Sequence, residues 1–134
     1  MKTFNLLKGL KDPSSKYYCG SAALLNLFYL LKAENINNKK LQRLSLVLAE
    51  EDKDYFALSS KEELSFNEER KIKRITRHYI YIIEELKKII STTNNNLFIN
   101  NYHILKDLLS YTISSLKLKK ELKIISKARK IVKE

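Results

Sequence analysis

Apolar residues along this chain recur at helical spacing, and no run carries a convincing strand pattern. The clearest case is Ile72, Ile75, Tyr79, Ile82, Leu86 and Ile89, where gaps of three and four alternate. One continuous apolar stripe results, and it predicts an amphipathic helix over 66–91. Ser65-Phe66-Asn67-Glu68 fits a capping box at its start: the serine accepts from the backbone three residues on, and the glutamate reaches back. A polar loop at 91–96 follows. The helix expected next, over 97–112, is apolar on most sides through Leu97, Phe98, Ile99, Tyr102, Ile104, Leu105, Leu108 and Leu109, so it should be central. Ser114 or Ser115 is the expected cap of a last helix running to the C-terminus, with Leu118, Leu122, Ile125 and Val132 on its core face.

Upstream, residues 2–10 can form a short helix. Asp12-Pro13-Ser14-Ser15 is a turn, and a helix follows to about Ala33. That helix contains the longest apolar stretch, 17–31, broken by Gly20, Ser21 and Asn26. It is shorter than the roughly 20 residues of a spanning helix, and it reads as a buried one. Asn37 or Asn38 can cap a helix over 39–50. Glu50–Asp54 then reads as an acidic turn, and Ser59-Ser60-Lys61-Glu62-Glu63 as a short helical turn. The expectation is an all-α fold and a single domain over 1–134. It is an irregular bundle or short α-solenoid of four to five antiparallel helices. No exact repeat at a fixed period is present, which favours the bundle. The stripe of the 66–91 helix suits internal packing or a dimer seam equally well.

Charge changes this picture. Residues 65–134 carry 16 Lys/Arg against 7 Asp/Glu, whereas residues 1–64 carry 10 against 8. The chain is thus a near-neutral half followed by a strongly basic one, with a total of +11. Abundant Lys, Asn and Ile suggest an A/T-rich genome, so codon bias contributes part of the lysine excess. The surplus falls in two stripes. Arg70, Arg74, Arg77 and Tyr81, at gaps of four, three and four with Lys71 and Lys73 beside them, lie opposite the apolar stripe. Guanidiniums pair bidentately with phosphates, and Tyr81 can stack on an unpaired base. The bland reading is a solvated face balanced by Glu68, Glu69, Glu84 and Glu85. Lys120, Lys123, Lys127 and Lys130 form the second stripe, flanked by Lys117, Lys119, Arg129 and Lys133. Cations near a helix C-terminus favour the macrodipole. Four like charges at helical spacing repel, and an anionic partner would relieve them.

Other chemistry is thin. Two glycines and one proline disfavour sandwiches, barrels and phosphate-cradling loops. A single cysteine allows no internal disulfide and points to a reducing compartment. Lys8, Lys11, Asp12 and Lys16 interrupt any apolar run near the start, so no signal peptide is expected. Cys19-Gly20-Ser21-Ala22-Ala23-Leu24 resembles the nucleophile region of papain-like peptidases that cleave bacteriocin leaders. Those enzymes also need a His and an Asp on a glycine-containing sheet, whereas His78 and His103 here lie in helical patterns. The better reading is a small-residue patch that lets another helix approach closely. The histidines lack paired ligand spacing, so no metal and no cofactor is expected. Glu50, Glu51, Asp52 and Asp54 read as a solvated turn that can also dock a basic partner.

One resemblance follows from the order of features. Leu41-Gln42-Arg43-Leu44-Ser45-Leu46 precedes Asp54-Tyr55, then Leu58-Ser59 with Glu62 and Glu63. A basic Arg70-Lys71-Ile72-Lys73-Arg74, then Tyr79-Ile80-Tyr81 and Leu86, complete the series. This resembles the nucleolar complex protein 3 family, helical-repeat proteins of large-subunit ribosome assembly. The turn departs from the family's Pro-Gly and carries Glu50-Glu51-Asp52-Lys53-Asp54-Tyr55-Phe56 instead. The resemblance spans about half the chain. It implies a nucleolar, non-catalytic scaffold embedded in RNA and protein.

The functional expectation is a non-enzymatic protein that binds structured RNA through phosphates, in a ribosome or ribosome-assembly setting. Arg70, Lys73, Arg74, Arg77, Tyr81, Lys120, Lys123, Lys127 and Lys130 are the binding candidates. Expected partners are RNA or a ribonucleoprotein particle and other proteins of the same assembly, with no membrane and no small-molecule substrate. The setting is intracellular: cytoplasmic, or nuclear and nucleolar in a eukaryote. The alternatives are a plasmid or phage DNA-associated protein and an adaptor for an acidic protein.

Overall fold

The computed structural model of the chain describes residues 20–116 and 123–134. Among them are five helices: α1 Gly20–Ala33, α2 Lys39–Ser59, α3 Phe66–Ile90, α4 Asn96–Leu116 and α5 Lys123–Lys133. The helix of 2–10, the 12–15 turn, Cys19, Leu118, Lys120 and Leu122 lie outside the described residues.

Local chemistry sets most boundaries. Asn38, in extended backbone, accepts from Leu41 N at 3.0 Å and starts α2. Ser65 does the same for α3: Glu68 N donates to its Oγ at 3.2 Å, and Ser65 N donates to Glu68 Oε1 at 2.9 Å. The expected capping box is present. α1 stops beside Asn35, whose φ of 55° is left-handed backbone that asparagine tolerates better than most residues. Asn95 Oδ1 accepts from Leu97 N at 2.9 Å and opens α4.

Three elements differ from the sequence expectation. Glu50–Asp54 is not a turn; α2 runs through it to Ser59, because carboxylates there find partners on α3 and Tyr55 is buried at the next position. Residues 59–63 do not begin a helical turn. Ser59 Oγ donates to Phe56 O at 2.7 Å, and Ser60 Oγ donates to Ala57 O at 3.1 Å. These hydroxyls satisfy the last carbonyls of α2 and end it. Neither Ser114 nor Ser115 caps the last helix. Both lie inside α4, where Ser114 Oγ donates back to Ser110 O at 2.8 Å. Leu109, Ile113 and Leu116 carry the buried face of α4 past the expected end at 112.

α2 packs on α1 and α3, α3 on α4, and α4 back on α1, which closes a ring. A solenoid would stack α1 on α3, its counterpart in the next hairpin; these two do not touch and α4 closes on α1 instead, so this is a bundle. α4 touches the four other helices and is central, as its apolar circumference predicts, and α5 lies over α3 and α4. The core contains Leu24, Leu27, Leu41, Leu48, Phe98, Leu105 and Leu109, all fully buried. Each large apolar side chain so placed contributes about 2 kcal/mol. Ile72, Ile75, Tyr79, Ile82 and Leu86 of α3 are all buried in this core, so their stripe is internal packing and not a dimer seam. The buried-helix expectation for α1 holds on one side only, since Leu25 and Tyr29 face outward at 37% and 51% exposure.

Candidate nucleic-acid interface

α3 carries its cations on two flanks. At about 100° per residue, Lys71, Arg74 and His78 fall toward one side of the core stripe, and Lys73 and Arg77 toward the other. The first side meets α2. Arg74 Nη2 lies 3.1 Å from Glu51 Oε2, Lys71 Nζ 2.7 Å from Asp54 Oδ2, and His78 Nδ1 2.9 Å from Glu51 Oε1. The acidic segment of α2 therefore neutralises this flank. Of the balancing carboxylates anticipated on α3 itself, Glu68 bonds to Lys61, and Glu85 bonds to Lys88 of the same helix and to Asn38.

α3 also packs on α5. Glu134 Oε2 lies 3.2 Å from Lys87 Nζ, so the C-terminal ends of α3 and α5 sit together. Ile125, Ala128 and Ile131 bury the inner face of α5, which leaves Lys123, Lys127 and Lys130 exposed. Lys73 and Arg77 of α3 and Lys123, Lys127 and Lys130 of α5 thus lie on two helices that pack on each other. None of the five has a salt bridge among the described residues.

The remaining candidates are placed differently. Arg70 sits at the start of α3 with its guanidinium 5.8 Å from the exposed Phe66 ring. Arg74 belongs to the α2 flank. Tyr81 is half-buried against the core, and Lys40 Nζ of α2 lies 4.5 Å from its ring centroid, which occupies the face a base would use.

Glu51, Asp52 and Asp54 are the residues whose roles the sequence did not reveal. Asp52 accepts from Tyr79 Oη and lies against Gly20, where a Cβ would come within 2.6 Å of its Cγ. With Ser21 Oγ donating to Ala49 O at 2.5 Å, this is the close helix approach expected of the small-residue patch. Burial raises the Asp52 pKa above its ordinary value, and the Tyr79 hydrogen bond offsets part of that. Burial likewise raises the phenol of Tyr55, which stacks on Tyr79 at 5.5 Å and shares a hydrogen bond with Thr76 at 2.6 Å.

A groove of about 270 Å³ between α2 and α3 is lined by Asp54, Ala57, Leu58, Asn67, Glu68 and Lys71. Its charged groups are already bonded, Asp54 to Lys71 and Glu68 to Lys61. Among the described residues no group of three or more His, Cys, Asp or Glu is arranged to hold a metal, and no helix is long and apolar enough to cross a membrane. No family model, curated protein or solved structure matches this chain.

Proposed function

We propose that this chain is a non-enzymatic protein that binds structured RNA through its phosphates, using the side of the bundle formed by α3 and α5. One observation carries the reading. The cations of α3 that face α2 are matched by carboxylates, whereas Lys73, Arg77, Lys123, Lys127 and Lys130 have no such match among the described residues. Like charges at helical spacing repel, and phosphates relieve that repulsion while releasing counterions. Duplex regions are favoured over unpaired bases, because Lys40 occupies the ring face of Tyr81 and backbone contacts need no stacking platform. The resemblance to the nucleolar complex protein 3 family supports a ribosome-assembly setting for that RNA.

Fluorescence anisotropy tests this with a structured RNA, a DNA duplex and an acidic peptide at about 50 and about 200 mM salt. Wild type should bind the RNA most tightly, with a steep salt slope. A Lys123→Glu/Lys127→Glu/Lys130→Glu variant should lose most of the affinity and flatten the slope. Arg77→Ala should weaken binding with little change in stability, whereas Arg74→Ala should disturb the Glu51 contact and weaken binding less. Equal affinity for the DNA duplex would transfer the reading to DNA. Flat titrations with both nucleic acids would overturn it, and saturable binding of the peptide alone would favour an acidic protein partner.

A further inference from the structure

Asn26 is the one polar side chain among the buried residues of α1, and it is fully buried. Neither its Oδ1 nor its Nδ2 has a hydrogen-bond partner among the described residues. Asn101 of α4 is also fully buried, and its Oδ1 is likewise unpaired. Its Nδ2 is not, since it donates to Ala23 O of α1 at 2.9 Å. A helical carbonyl points toward the N–H four residues on, so the Asn101 amide meets α1 at the turn from which Asn26 projects. Asn26 stands about 60° round α1 from Ala23 and about 140° from Ser21, whose hydroxyl bonds to Ala49 O of α2. Its side chain therefore belongs to the α4 side of the helix, as Asn101 belongs to the α1 side of α4.

We infer that the seam between α1 and α4 binds one internal water molecule, which bridges Asn26 and Asn101. Buried amides are rarely left unpaired, because each orphaned atom forfeits its hydration. The unmet needs here are one acceptor, for Asn26 Nδ2, and two donors, for Asn26 Oδ1 and Asn101 Oδ1. A single water supplies that set: it accepts from Asn26 Nδ2, donates back to Asn26 Oδ1, and donates its second proton to Asn101 Oδ1. A cation would suit the two oxygens but not the amide nitrogen. The bridge also fixes register. The other buried side chains of α1 beyond Gly20 are Ala23, Leu24, Leu27, Leu30 and Leu31, and these alone would tolerate a slip of one turn along α4. Such a slip sets Leu30 in the place of Asn26 and strands the Asn101 amide, so the polar pair selects one alignment, as a buried asparagine does in a coiled coil. None of this depends on the RNA-binding reading.

Water–protein Overhauser spectra of the full, isotope-labelled chain test the site directly. The side-chain amide protons of both Asn26 and Asn101 should show cross-peaks to the water line with the sign of a long-lived bound water. Asn26→Leu should abolish the Asn101 cross-peak and lower the urea midpoint, because Asn101 Oδ1 then loses its partner. Asn101→Leu should abolish the Asn26 cross-peak and lower the midpoint as well. The double variant should lower it by clearly less than the sum of the two, since neither orphan is left behind. Wild-type spectra without water cross-peaks at either amide overturn the inference, whatever the variants do. So does a higher midpoint for Asn26→Leu, which would show a dry, unpaired amide relieved by leucine. Coupling between the two positions without bound water would assign a direct amide–amide bond instead.

Discussion

Asp52 joins three helices: it sits on α2, accepts from Tyr79 Oη of α3, and lies against Gly20 of α1. In the unfolded chain it titrates near 3.8, and burial raises that value in the fold. The folded state thus keeps a proton that the unfolded chain has already lost. Stability falls as pH rises upward from about 3.8, and the whole penalty applies above the folded pKa. Asp52→Asn should remove this slope and leave neutral-pH stability equal or higher, because the amide oxygen still accepts from Tyr79. Tyr79→Phe strands the carboxylate and should cost about 1–3 kcal/mol. Glu68 has the opposite sign. The Lys61 hydrogen bond, then the Ser65 backbone, lower its pKa from 4.5 to about 2. Its contribution is present above 4.5 and disappears as pH falls through about 2. Urea melts across pH on wild type, Asp52→Asn and Glu68→Gln would separate the two trends. Little of Asp52 was legible in the sequence. Its partner is 27 residues away, and among Glu50, Glu51 and Asp54 a half-buried carboxylate looks like another solvated charge.

At the scale of the element, α3 was readable because everything that defines it is local: the capping box at its first turn and the alternating apolar gaps after it. Ser65→Ala should therefore cost about 1 kcal/mol in a thermal or chemical melt. Ser114→Ala should cost about 0.5 kcal/mol or less, since that exposed hydroxyl bonds within α4 and caps nothing. The extension of α2 was not readable for the converse reason. Its charged segment is stabilised by Lys71, Arg74 and His78 of the following helix, and no pattern inside 50–59 announces them. The same pairing divides the candidate site. Spacing along α3 put Arg70, Arg74 and Arg77 on one face, but the neighbours on either side decide which of those charges is already matched.

For the whole molecule, the all-α class and the central place of α4 followed from apolar periodicity. Ring closure did not, because helix order alone leaves both a ring and a stack open. The closure depends on the α1–α4 seam, where Asn101 Nδ2 donates to Ala23 O at 2.9 Å across 78 residues, and Asn95 Nδ2 reaches Glu34 at the other end. The remaining helix contacts join nearer neighbours and suit early assembly of α1 with α2 and of α3 with α4. On that order the seam forms after the barrier, so its side chains govern how fast the fold opens rather than how fast it forms. Asn101→Ala should speed unfolding about fivefold or more in stopped-flow dilution and leave the refolding rate nearly unchanged. The lifetime of the folded chain is then set at the seam between α1 and α4, and proteolysis that outpaces reclosure would begin by peeling α1 away.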